Sequence, residues 1–151
     1  MRAIAAVVSL CLAGVACAQE SGGRVQYVGG TVAGLADGPK GRLLTTDNDF
    51  LMFQAGKRRY AVRWNRITLL EYGQRVNRRY AMGVIISPLL VLSKSRKHFL
   101  TVGFADEDGA QQAMVFRVDK DDIRSLLVSL EVRTNLRVEY QDEDARKAGK
   151  G

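Results

Sequence analysis

Between Lys57 and Lys97 the chain carries eleven Lys and Arg residues against a single acid, Glu71, a net +10 in a protein whose total is +7. Arg75, Arg78 and Arg79 stand just before an almost wholly apolar run at residues 80–92, and Lys94, Arg96 and Lys97 just after it. Ile85, Ile86, Leu89 and Leu90 form the apolar middle of that run. Cations bracketing a greasy segment are what an anionic membrane surface attracts. Each Lys or Arg near such a surface adds on the order of 1 kcal/mol, and apolar side chains add burial. The same charges would suit an acidic envelope protein. A plainer alternative is that residues 80–92 fill the core while the cations form a solvated rim.

Other residue types that could do chemistry do not assemble. His98 is the only histidine, and Ser87, Ser93 and Ser95 sit in no nucleophile-elbow pattern with it. Asp106-Glu107-Asp108-Gly109 resembles part of a calcium loop. With Gly109 at the sixth position, however, Phe104 takes the first and Val115 the twelfth, where carboxylates are required. A hairpin turn explains these residues better. Gly29-Gly30-Thr31 and Gly34 lack the Gly-Lys-Ser/Thr of a phosphate cradle. Tyr60 and Trp64 fall among arginines and could stack on bases, but strand alternation turns both rings inward. The expectation is therefore no enzyme, no cofactor, no metal and no nucleic-acid partner.

The N-terminus reads as a targeting device. Arg2 supplies a positive start, residues 3–13 are a short apolar run, and Ala16-Cys17-Ala18 is a cleavage pattern. Cutting after Ala18 gives an exported chain, periplasmic or extracellular. Cys17 offers a lipoprotein alternative, although Gly14 stands where a large aliphatic residue is usual. Cys11 and Cys17 are the only cysteines, so a chain cut after Ala18 contains neither thiol nor disulfide. The remainder divides into a flexible lead-in at 19–40, holding a short strand at 25–32 interrupted by Gly29-Gly30, then one domain at 41–140 and a charged, disordered tail at 141–151.

Within the domain, short alternating runs at 42–46, 50–54, 58–64 and 67–72 are separated by turn residues such as Asp47-Asn48-Asp49 and Gly56-Lys57. Leu100, Val102 and Phe104, then Met114, Phe116 and Val118, give the two strands of a hairpin one apolar face each. Asp119 stands as an N-cap ahead of Ile123, Leu126, Leu127 and Leu130, whose spacing lines one helical face, and Asn135 can take a left-handed stop. Leu136, Val138 and Tyr140 alternate as a terminal extension. The fold class is mainly β (α+β): a small barrel or two packed antiparallel sheets of about seven strands, capped by one C-terminal helix.

That order of elements over residues 41–140 resembles the pleckstrin-homology superfold and its GRAM-like relatives. The stretches at 64–73 (WNRITLLEYG) and 97–118, with the helix after them, resemble small exported bacterial proteins of that type with no assigned role. The resemblance implies a non-catalytic binding module. The first-hairpin loop departs from the phosphoinositide-binding pattern, because Asp47-Asn48-Asp49 would repel a phosphorylated headgroup. The expected function is an exported binding module with a basic contact surface, its partner an anionic membrane surface or an acidic envelope protein. The alternative is a structural or envelope-assembly protein acting through protein–protein contact.

Overall fold

In the computed structural model, which describes residues 22–32, 35, 38–74 and 97–150, the chain is mainly β. It runs through β1 (Gly22–Gly30), β2 (Lys40–Leu44), β3 (Phe50–Ala55) and β4 (Arg58–Arg63), a 3₁₀ turn (Trp64–Arg66), then β5 (Ile67–Gly73), β6 (His98–Ala105) and β7 (Gln111–Val118). After these come α1 (Ile123–Thr134), β8 (Glu139–Tyr140) and α2 (Glu143–Lys150). The eight strands among the described residues form one sheet in the order β4-β3-β2-β1-β7-β6-β5-β8. Every ladder is antiparallel except β5–β8, which is parallel.

Local chemistry sets the turns. β3 and β4 are joined by Gly56-Lys57, with Gly56 at φ 60. A glycine with positive φ at the first of two loop positions suits the right-handed strand twist. At the β6–β7 turn the Asp106 carboxylate accepts N–H groups of Asp108 at 3.1 Å and Ala110 at 2.8 Å, and the Gln112 amide at 2.9 Å. These bonds, led by the one from Gln112, hold the Asp106 carboxyl below the usual carboxylate range. Its role is to fold a hairpin.

The sheet is rolled by a short connection. β4 and β5 lie six strand positions apart, roughly 29 Å if the sheet were flat at about 4.8 Å per strand. From Arg63 to Ile67 the chain has only four Cα steps of about 3.8 Å, about 15 Å at full stretch. The sheet must curl to let this link close. Its inner face is then shared by one cluster from Leu51, Phe53 and Val62 in one half to Leu70, Tyr72 and Leu100 in the other. Trp64, buried in the link, donates its indole N–H to the Asp47 carbonyl at 3.0 Å. Among the described residues no ladder joins β4 to β5 or β8, so the architecture is one open, rolled sheet rather than a closed barrel or two separate sheets.

Helix α1 covers this core with Ile123, Leu126, Leu127 and Leu130. It stops at Asn135, which has φ 57 and donates its N–H to the Glu131 carbonyl at 2.9 Å. The start differs from expectation. Asp122, not Asp119, precedes the first turn. Asp119 instead accepts the Asp121 N–H at 3.2 Å and pairs with Arg24 at 3.5 Å. The Asp122 carboxylate accepts the Arg24 N–H at 2.8 Å and its Nε at 3.0 Å. Asp119 thus keeps a local bond in the turn ahead of the helix while both carboxylates also pair with Arg24.

Two segments are more ordered than their composition suggests. The short strand expected in the lead-in at 25–32 is β1, nine residues at the centre of the sheet between β2 and β7. Gly29-Gly30 does not break it; the register shifts between Tyr27 and Gly29 as a bulge, and pairing with β7 continues. The expected disordered tail contains α2, so the described residues hold two helices rather than one. Asp142 caps it by accepting the Ala145 N–H at 2.7 Å. Ala145 is buried, and a Cβ on Gly149 would stand 2.6 Å from the Tyr140 ring. Small residues let that helix sit close against Tyr140 and Leu127.

The core predicts its own sensitivities. Phe116 is fully buried between Phe53, at 5.1 Å between ring centroids, and Tyr27, at 5.9 Å. Phe116→Ala should lower unfolding stability by about 3–5 kcal/mol in urea titration. Val132, 77% exposed on α1, should tolerate alanine within about 0.5 kcal/mol.

Candidate functional site

Strand register decides which polar side chains share a face. Outside the core, β2 presents Lys40 and Arg42, β3 presents Phe50, Met52 and Gln54, and β4 presents Arg59, Ala61 and Arg63. Arg24 lies opposite Arg42, Arg42 opposite Gln54, and Gln54 opposite Arg59, making a lateral row across four strands. Phe50 lies opposite Arg63, whose guanidinium carbon sits 5.0 Å from the Phe50 ring centroid. That stacking lays the cation over the sheet surface. Lys40, Arg42, Arg59 and Arg63 are all exposed.

Arg24 is committed to Asp119 and Asp122, which raise its pKa chiefly through the Asp122 hydrogen bond. Among the described residues no carboxylate forms an ion pair with Lys40, Arg59 or Arg63. A shallow cavity of about 200 Å³ lies on this face, lined by Leu44, Thr46, Asp47, Met52, Gln54 and Arg59. Asp47 brings one negative group to its rim, but its Oδ1 already accepts the N–H groups of Asp49 and Phe50 at 2.8 and 2.9 Å. Planar guanidinium groups on a shallow, partly apolar surface can hold carboxylates or phosphates by paired N–H donors. They supply no proton transfer and no nucleophile.

Among the described residues the second half of the sheet offers no such face. Phe99, Thr101, Val115, Ala113 and Val28 are buried on the side away from the core, as is Glu71. Glu71 stands opposite Thr101 and accepts the Gln141 amide at 2.8 Å. Gln141 can reach it because Gly73 has no side chain; a Cβ there would meet Gln141 at 1.8 Å.

Of the expected contact residues, Lys97 is partly exposed immediately before β6. Arg75, Arg78, Arg79, Lys94 and Arg96 lie outside the described residues, as do Ile85, Ile86, Leu89 and Leu90. Tyr60 and Trp64 turn inward with the core, as alternation predicts. Lys40 and Arg42 were missed as members of a basic surface because they lie outside the charge-rich window in sequence. Their cross-strand partners, not their sequence neighbours, bring them to Arg59.

Compared with known proteins, the chain matches no family model and no curated protein. Among the described residues no group of three or more His, Cys, Asp or Glu could hold a metal ion. Nor is any described helix long and apolar enough to cross a membrane.

His98 has a structural partner. Its Nδ1 is hydrogen-bonded to the Tyr72 hydroxyl, and the two rings stack at 6.0 Å between centroids. Burial, helped by Tyr140 and Asp142 and opposed by Arg124, pushes the Tyr72 hydroxyl up to about 12. A protonated Tyr72 hydroxyl can donate to Nδ1 or accept from it, so the neutral imidazole is satisfied at that nitrogen in either tautomer. Burial lowers the His98 pKa from 6.5, with Lys120 adding to the shift and Asp119 opposing it. As pH falls through 6.5, the unfolded chain takes up a proton that the folded chain resists, so stability declines until the folded pKa is reached. Urea midpoints measured from pH 7.5 down to 5 should fall, and His98→Gln should flatten that slope. An unchanged slope in the variant would remove His98 from this role.

Proposed function

We propose that this chain is a non-catalytic binding module that holds an anionic partner against the outer face of its first four strands. The observation that carries the reading is the register that brings Arg42, Gln54 and Arg59 into one row, with Lys40 and Arg63 beside it. Strand order supports a pleckstrin-homology-like reading: seven antiparallel strands run 4-3-2-1-7-6-5, followed by a helix that packs on the core. On that reading the fold is a scaffold, and the binding chemistry belongs to the surface it displays.

The engagement of His98 by Tyr72 and of Asp106 by its own turn supports binding over catalysis. The leader ending in Ala16-Cys17-Ala18 supports an exported location, with lipidation at Cys17 as the variant of it. The sequence cluster of Arg75, Arg78, Arg79, Lys94, Arg96 and Lys97, with the apolar Ile85, Ile86, Leu89 and Leu90, would offer the same partner a second basic contact.

Two probes test the reading on the chain starting at Gln19: poly-L-glutamate, and phosphatidylcholine vesicles with and without phosphatidylglycerol. Binding to at least one anionic probe is expected at low salt and should vanish at high salt. The Arg59→Glu, Arg63→Glu double variant should weaken it about tenfold or more, since each cation contributes on the order of 1 kcal/mol. Loss in an Arg75→Glu, Arg78→Glu, Arg79→Glu variant alone would move the site to the second surface. A chain that ignores both anionic probes at low salt sinks the proposal.

A further inference from the structure

The two ends of the rolled sheet are unequal. One ends in β8, two residues long, and the other in β4, six residues long and mostly exposed. Hydrogen-bond phase tells which backbone groups β4 leaves over. Closing the two-residue Gly56-Lys57 loop makes Ala55 and Arg58 a hydrogen-bonded pair. The Trp64 N–H donating to the Asp49 carbonyl at 3.0 Å has the same phase. The backbone groups of Arg58, Tyr60 and Val62 therefore serve β3, whereas the N–H and C=O groups of Arg59 and Ala61 and the N–H of Arg63 point to the free edge; the Arg63 carbonyl caps the 3₁₀ turn that follows. Among the described residues no strand takes them.

Those three residues also place their side chains on the exposed basic face. Two of the three are arginines, and this decides what can pair there. A second copy adding antiparallel about Ala61 would set each Arg59 opposite the other copy's Arg63, and like charges directly opposite are destabilising. A segment with acids at those positions reverses the sign. A polyanion without a peptide backbone would engage the arginines but leave the row of N–H and C=O groups unused.

We infer that the free edge of β4 accepts an extended acidic polypeptide segment as an added strand. This rests on the proposed function and names its anionic partner. Main-chain bonds to Arg59, Ala61 and Arg63 would provide affinity, and alternate side chains would provide selection. The fitting segment reads acid–apolar–any–apolar–acid. Its acids face Arg59 and Arg63, its centre faces Ala61, and its apolar residues lie beside Tyr60 and Val62, whose side chains belong to the core side.

The test uses the full chain from Gln19 and a blocked peptide, Thr-Glu-Val-Thr-Val-Glu-Thr. Titration followed by amide exchange should show binding, with slowed exchange at Arg59, Ala61 and Arg63 and little change at Tyr60 and Val62. A peptide N-methylated at the central Thr should bind about tenfold more weakly, because it loses a main-chain bond while keeping its charge. Ala61→Pro removes an N–H that β3 does not use, a change edge strands tolerate. It should weaken peptide binding similarly and leave unchanged the binding of polyacrylate, a polyanion with no peptide backbone. If the variant fails to fold by circular dichroism, the N-methylated peptide still decides. Equal binding of methylated and unmethylated peptides would overturn strand addition. So would polyacrylate binding without peptide binding, which leaves the basic face standing. Indifference to peptide and polyacrylate alike would overturn this inference, and the vesicle probe would then decide whether the basic face falls with it.

Discussion

The link from β4 to β5 is the constraint on which the rest of the molecule depends. A connection of one 3₁₀ turn between strands six positions apart forces the sheet to roll, and rolling creates a single interior from strands that never pair. Trp64 anchors the link from inside, bonding through its backbone N–H to Asp49 and through its indole to Asp47. Arg66 holds it from outside by donating to the carbonyl of Asp106 in the distant β6–β7 turn. The link thus fixes the relative placement of both hairpin systems, and the acidic β2–β3 loop is part of its support.

Closure at the other seam comes from charge and from packing together. Arg24 brings β1 to the start of α1 through Asp119 and Asp122. These groups are partly exposed, and surface ion pairs contribute little by themselves. Their contribution is positional: a Cβ on Gly23 would lie 3.2 Å from Leu126 and 3.3 Å from Asp122, so the strand and helix approach closely there. The apolar side chains of α1 then stabilise what the ion pairs orient. Far along α1, Arg133 donates to Thr46 and Asn48 at 3.3 Å each, tying the helix's other end to the β2–β3 loop.

Much of this was legible in the sequence because it is local. The Leu100–Phe104 and Met114–Val118 alternations, the glycine turns, the apolar face of α1 and the Asn135 stop all follow from residue types at fixed short spacings. What escaped is non-local. β1 looked interrupted because a Gly-Gly pair weakens a strand in isolation; two flanking ladders hold it in the sheet. Asp119 looked like a cap because no sequence rule shows that Arg24 will claim Asp122. The tail looked disordered because its charge hides the two small residues that fit against Tyr140 and Leu127. A window of sequence shows only the cations clustered between Lys57 and Lys97, while the fold builds a basic face across four strands.

Partition of the outer surface gives the cationic face its meaning. Where β5, β6 and β7 turn buried side chains to both sides, charge could not be accommodated without partners, and Glu71 there is bonded to Gln141. Where β2, β3 and β4 turn outward they are open, and they carry arginine and lysine. On an edge strand this choice has two consequences with one cause. Charge of a single sign at Arg59 and Arg63 blocks pairing with another copy, the ordinary hazard of a free edge. The same sign lowers the barrier to any segment of opposite charge. An edge protected only by shortness, such as β8, rejects all strands alike; an edge protected by arginine rejects its own kind and remains open to acids.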